Sequence, residues 1–252
     1  MGEWESVTSG CSGATVRRSP DGRSHAKSVA APASRDELIA ERDRLLWLAT
    51  GPIAAPRVLD WNEDDTTATL VTSTLPGIPA SEVPAADVRV AVKALVGFLE
   101  SLHALPVREC PFDRTLAVTV PAAAMNAASG LVDEDDLDEC RFGSTAEQLL
   151  LALAADRGRA EVLEIGDLAI CHGDFCLPNV FLDPGTLTVT GILDVGRLGV
   201  ADRHLDLALL TRSLEDTDLN PAFGAELSES VRDRTEADPW RIDYYRLLDE
   251  FF

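Results

Sequence analysis

Residues 169–197, AICHGDFCLPNVFLDPGTLTVTGILDVGR, constrain this chain more than any other stretch. Two strand-like runs, NVFL and LTVTGIL, flank the turn DPGT, which predicts an antiparallel hairpin. Asn179 opens the first strand and Asp194 closes the second, so such a hairpin brings both to one end. His172, Gly173 and Asp174 lie just before the first strand, in a loop that can reach the same place. Asp174, Asn179 and Asp194 are therefore expected to converge.

Two oxygen ligands, from Asn179 and Asp194, suit Mg2+, a hard cation held by few protein groups together with phosphate oxygens. Asp174 is then left to orient a hydroxyl and accept its proton. That division of labour is the one found in phosphoryl transfer, where the metal and positioned donors meet the charge on the moving group.

A second pattern supports this reading. The chain contains only two lysines, Lys27 and Lys93. Lys27 sits on the predicted strand SHAKSVA, just before a predicted helix that starts at Ser34, with Glu37 completing a capping box. Leu38, Leu45, Leu48 and Ala49 share one face of that helix, and Glu41 falls in the middle of it. A carboxylate on an apolar face needs a partner or must be neutralised. Lys27 can supply one, in the manner of the Lys–Glu pair that positions ATP phosphates. Glu41 reaching solvent beside a surface lysine is the alternative. The small-residue loop TSGCSGA, residues 8–14, precedes both and could bring backbone N–H groups to a phosphate.

The remaining chain reads as strands followed by helices. Strand-like pieces lie around Val7 and in ATVRR, RVLDW and TATLVTS, and SPDG is a hairpin turn. The break TLPGIPAS, residues 74–81, marks the expected boundary between an amino-terminal part, residues 1–75, and a carboxyl-terminal part, residues 76–252. Helices are expected over residues 85–105 and 144–158, and from Pro239, capped by Asp238, to Phe252.

A net charge of -21 argues against nucleic-acid partners, which need a basic footprint, and leaves polycationic ligands open. No apolar run reaches membrane-spanning length. The five cysteines show no C-x-x-C pair, which fits reduced thiols in a cytoplasm. The spacing of Cys171, His172 and Cys176 does not fit zinc, and no G-x-S-x-G nucleophile elbow exists.

The stretches TSGCSGA, ERDRLLWLATG, HGDFCLPN, GILDVGRLGVADRHLDLAL and YYRLLDEFF together resemble the aminoglycoside 3'-phosphotransferases, the kinases of kanamycin and neomycin. HGD and D-x-G are shared by many small-molecule kinases; GRLGVADR and LLDEFF are more specific to the 3'-enzymes.

The resemblance implies an α+β, two-lobed, protein-kinase-like fold, with an antiparallel sheet in the first lobe and mainly helices in the second. It implies Asp174 as the catalytic residue, Asn179 and Asp194 as Mg2+ ligands, and Lys27 with Glu41 as the phosphate-positioning pair. Ser9, Cys11 and Ser12 would cover the phosphates. His25 would lie where the family places an aromatic ring on adenine, and Ser73 and Leu75 would meet the adenine edge. Asp136, Asp138, Glu139, Arg197, Asp249, Glu250 and Phe252 would bind the amino-sugar, with Arg197 a fixer of Asp249 or of the terminal carboxylate. Asp206 would brace the catalytic loop. The partners implied are ATP and an aminoglycoside antibiotic, for a monomer or weak dimer. A kinase of another small alcohol and a non-catalytic nucleotide-binding module are the alternatives; the filled catalytic positions and the acidic terminus argue against both.

Overall fold

The structure, a computed structural model, describes residues 3–7, 14–30 and 34–252. In chain order the strands are β1 (Glu5–Val7), β2 (Thr15–Arg18), β3 (Ser24–Ala30), β4 (Val58–Glu63), β5 (Thr67–Ser73), β6 (Ile78–Pro79), β7 (Leu168–Cys171), β8 (Val180–Leu182), β9 (Val189–Ile192) and β10 (Gly199–Asp202). The helices are α1 (Arg35–Leu48), α2 (Val88–His103), α3 (Leu116–Ala128), α4 (Ala146–Glu164), α5 (His204–Glu215), α6 (Ala225–Thr235) and α7 (Pro239–Asp249).

The chain divides into two compact units, Met1–Glu82 with Pro178–Arg197, and Val83–Leu177 with Leu198–Phe252. A single cut after residue 75 would group the 178–197 hairpin with the helices. It folds with the first unit instead, because β8 pairs antiparallel with β6 through Ile78 and Leu182. Gly77 permits this approach: at φ 107, a Cβ there would lie 2.3 Å from the Leu182 carbonyl oxygen.

In the first unit, β1-β2-β3-β5-β4 form an antiparallel sheet. Helix α1 buries Leu38, Leu45 and Leu48; Ala49, expected on the same face, ends the helix exposed. The expected capping box at its start does not form. Ser34 occupies the cap position with φ -105 and ψ 6, outside the extended region from which a serine hydroxyl reaches the helix N–H groups. Asp36 and Glu37 instead place negative charge in the first turn, where the helix dipole favours it.

In the second unit, α2 buries Val88, Ala91, Val92, Leu95, Val96, Leu99 and Leu102 along one stripe. Helix α5 is buried at every residue from His204 to Thr211. Its start is tied to α7 by a polar network. The buried Asp202 accepts from His204 N–H at 2.9 Å, His204 Nδ1 at 2.8 Å and Arg241 Nε at 2.9 Å. His204 Nε2 in turn accepts from the backbone N–H of Asp238, the residue that caps α7. Helix α7 stops at Asp249, three residues short of its expected end.

Candidate active site

Side chains alternate along a strand, so His25 and Lys27 share one face of β3. Lys27 Nζ lies 2.9 Å from Glu41 Oε2 and 2.7 Å from Asp194 Oδ1. The expected strand–helix pair is thus present, and the second carboxylate makes it a triad. Burial works against the ammonium, but Glu41 and Asp194 outweigh it and hold the Lys27 pKa above its ordinary value, so the group is charged.

Asp194 has φ 51, in the left-handed region. A non-glycine residue there costs roughly 1–3 kcal/mol, and Asp is among the few that tolerate it. The hairpin fixes its place: Leu193 N–H donates to the Asn179 carbonyl at 2.8 Å, one step beyond the Val180–Ile192 pair. Asn179 and Asp194 accordingly lie at the same end of the hairpin. Their donor set is one amide oxygen and one carboxylate, with no soft ligand, which fits Mg2+.

On the same face of β3, His25 Nδ1 lies 3.1 Å from Thr74 Oγ1. Ser73 N–H donates to the Arg57 carbonyl, and Ser73 Oγ accepts from Arg57 N–H. The Leu75 side chain is buried against Gly191, where a Cβ would meet it at 2.8 Å. Ser9, Cys11 and Ser12 lie outside the described residues.

The loop carrying Asp174 belongs to the second unit. Gly173, at φ 84, takes the left-handed turn that the loop needs. Asp206, wholly buried on α5, accepts from Gly173 N–H through Oδ1 and from His172 N–H through Oδ2, each at 2.9 Å. His103, the last residue of α2, places Nε2 3.0 Å from the same Oδ2. Asp174 N–H donates to His172 Nδ1 at 3.1 Å, so the imidazole shapes the loop. Phe175 is fully buried and stacks on Phe98. Cys171 also lies near His103 and Asp206, but its thiol faces the backbone carbonyls of Ala169, Ala201 and Asp202. Both Asp206 oxygens already accept backbone N–H groups, so Asp206 with His103 acts as a brace. His103 was not singled out from the sequence; its signal was a polar residue closing an apolar helical stripe.

The acidic terminus is also in the second unit. Asp136 and Glu139 are exposed. Asp138, Asp249 and Glu250 are engaged by two arginines that the sequence did not single out. Arg141 Nη1 lies 2.9 Å from Asp138 Oδ2 and 3.2 Å from Glu250 Oε1. Arg212 pairs with Asp249, and its Nη1 lies 3.7 Å from Asp138 Oδ1. Asp249 thus has a partner in Arg212; Arg197 belongs to the first unit. Burial, with Asp138 beside it, pushes the Glu250 carboxyl up to about 7. Asn126 Nδ2 donates to the Phe251 carbonyl at 2.8 Å, and the Arg114 guanidinium lies 5.4 Å from the centre of the Phe252 ring.

The sequence matches the phosphotransferase enzyme family over residues 3–240. It is 45% identical over 261 residues to an aminoglycoside 3'-phosphotransferase of Streptomyces fradiae, across 99% of this chain and 95% of that protein. The crystal structure of an aminoglycoside-3'-phosphotransferase of type VIII matches with a TM-score of 0.87 at 45% identity, covering 99% of this chain and 93% of that one. The aminoglycoside phosphotransferase APH(3'')-Id of Streptomyces rimosus, solved in complex with ADP and streptomycin, matches with a TM-score of 0.87 at 39% identity, covering 98% of this chain and 92% of that one. These likenesses bear out the expected α+β, kinase-like class.

Proposed function

The chain belongs to the phosphotransferase enzyme family, and from that premise we propose that it transfers the γ-phosphoryl group of ATP to the 3'-hydroxyl of kanamycin- and neomycin-type aminoglycosides. The observation that carries the reading is the Lys27–Glu41–Asp194 triad, three residues brought together from three separate elements. A charged lysine held between a helix carboxylate and a hairpin carboxylate is suited to orienting ATP phosphates.

In this reading Asp174 accepts the proton of the attacking hydroxyl and orients its oxygen for in-line attack. Asn179 and Asp194 would hold Mg2+, which when bound would neutralise charge on the phosphate oxygens. Lys27 orients the α- and β-phosphates, with Glu41 fixing the lysine. The loop with Ser9, Cys11 and Ser12 covers the phosphates; His25 stacks on the adenine, and the backbone of Ser73 and Leu75 meets its edge. Asp136, Asp138, Glu139, Arg197, Asp249, Glu250 and the Phe252 carboxylate form the amino-sugar side, where negative charge matches an oligocationic substrate. Phosphorylation would add charge and bulk to the drug and so confer resistance, in the cytoplasm where its ribosomal target lies.

A second reading, phosphorylation of the 3''-hydroxyl of streptomycin, is favoured by one observation. The streptomycin-bound relative matches this chain with the same TM-score, 0.87, as the 3'-enzyme. A coupled ATP-turnover assay with kanamycin, its 3'-deoxy analogue and streptomycin separates the two, with phosphorus NMR locating the new ester. Turnover of kanamycin and not of the 3'-deoxy drug is expected. Turnover of streptomycin alone would move the reaction to the 3''-position, and no turnover of any of the three would sink both readings.

A further inference from the structure

We propose that Thr74 is a positioning residue for the nucleotide base, acting through His25. This deepens the reading of His25 as the adenine platform, and rests on it.

The argument begins with one hydroxyl hydrogen. Thr74 Oγ1 lies 2.8 Å from the Gly22 carbonyl oxygen and 3.1 Å from His25 Nδ1. A carbonyl cannot donate, so the hydroxyl hydrogen points at Gly22. Thr74 Oγ1 can then only accept from the imidazole, which must carry its hydrogen on Nδ1. The relay thus fixes both the tautomer and the orientation of the ring. Burial, then the Arg18 guanidinium, hold the His25 pKa below its ordinary value, so the ring is neutral and Nε2 bears a lone pair.

Both ends of the relay are anchored. Gly22 N–H donates to the Ser19 carbonyl at 2.9 Å, inside the β2–β3 turn. Thr74 N–H donates to the Arg23 carbonyl at 2.9 Å, so the residue following β5 is tied to the same turn. The sheet holds His25 opposite Arg18 on one side and Thr72 on the other. An imidazole held by a single χ-fixing hydrogen bond is ordered before a purine arrives. The rotamer entropy that a free ring would lose on stacking is therefore already spent, and binding tightens.

The test uses ADP binding to the full chain by calorimetry, with a double-mutant cycle. Thr74→Val, which keeps the shape and loses the hydroxyl, is expected to weaken ADP binding roughly two- to tenfold, the range for one net hydrogen bond. Thr74→Ser keeps the hydroxyl and should bind as wild type. In a His25→Phe background, which retains a ring but has no Nδ1–H, Thr74→Val should have no further effect. A second readout is nitrogen NMR of the imidazoles, which are only four in this chain. His25 should show the Nδ1–H tautomer in the wild type and in Thr74→Ser, and lose that preference in Thr74→Val.

An equal loss from Thr74→Val in both backgrounds would overturn the relay, because the hydroxyl would then act without His25. If His25→Ala weakens ADP binding and Thr74→Val does not, the relay fails while the adenine platform stands. If neither variant changes ADP binding, the platform itself fails and the relay with it. Thermal melting of each variant checks that binding is compared between folded proteins; should Thr74→Val not fold, Thr74→Ala takes its place in the same cycle.

Discussion

His103 Nε2 lies 3.0 Å from Asp206 Oδ2, the oxygen that also accepts the backbone N–H of His172. The last residue of α2 thereby steadies the carboxylate that holds the Asp174 loop. Asp206 is an acceptor toward three donors, so Asp206→Asn would turn an NH2 toward one of them. A buried unsatisfied donor costs about 1–3 kcal/mol. Urea unfolding should report that loss, and turnover should fall with ATP KM little altered. Wild-type stability in the Asn variant would remove the brace from the account.

Asp174→Asn keeps the size of the side chain and removes its basicity. Turnover should fall by roughly 100- to 10,000-fold, the usual contribution of a positioned general base. ADP affinity should survive, because the nucleotide-handling groups proposed here lie elsewhere in the chain. Near-normal turnover would exclude Asp174 as base or positioner.

Lys27→Met removes the shared cation between Glu41 and Asp194. ATP KM should rise sharply. Stability should fall by about 1–3 kcal/mol, because Glu41, whose carboxyl burial already pushes above its ordinary pKa, is left without its cation on a largely buried helix face. Comparing nucleotide affinity and unfolding midpoint with wild type tests both halves. No change in either would mean that the triad neither binds nor stabilises.

The sequence carried the first unit better than the second, for physical reasons. β2, β3 and the 178–197 hairpin have strong turn signals, and Glu41 was conspicuous because an acid interrupted an apolar stripe. Helix α5 gave no such signal: buried on all sides, it lacks the polar–apolar alternation that periodicity detects. Helix α3 contains Pro121, which disguises it. The clustering of Asp249 and Glu250 suggested a need for cations. Which arginines answer depends on tertiary packing, and Arg141 and Arg212 lie 109 and 37 residues away from their partners at the terminus.

Glu164 gives the chain a pH signature. Burial pushes its carboxyl up to about 7, although it accepts Leu116 N–H at 2.9 Å. A folded pKa raised above the unfolded value means that the fold prefers the protonated acid. That contribution is fully present below about 4.5 and is lost as pH rises through about 7. The loss is on the order of 3 kcal/mol. Glu164→Gln keeps an acceptor for Leu116 and cannot ionise. It should match wild type in urea unfolding at acid pH and exceed it at pH values above Glu164's own pKa, with Glu250 leaving a residual slope. Parallel pH profiles for the two proteins would refute the assignment.

Chain ends are usually frayed and dispensable, yet this one is built in. Asp238 caps α7 by accepting Trp240 N–H at 2.9 Å, and Tyr244, Leu248 and Phe251 are buried. Arg241 anchors the helix to Asp202, Asn126 holds the Phe251 carbonyl, and Arg114 lies against the Phe252 ring. The terminal carboxylate is therefore carried by an ordered residue beside Asp249 and Glu250. Asp249 and Glu250 pair with Arg212 and Arg141; in the proposed reading the carboxylate stands with them on the side that would meet an ammonium group of the drug. Deleting Phe252, or extending the chain beyond it, displaces that charge by at least one residue while sparing the groups proposed for ATP. The aminoglycoside KM should rise roughly tenfold or more, as expected for losing a hydrogen bond to a charged group, and the ATP KM should hold. Both constants are to be measured on protein first shown by its melting curve to be folded. An unchanged aminoglycoside KM would place the substrate away from the terminus and leave the Arg141 and Arg212 pairs as purely structural ties.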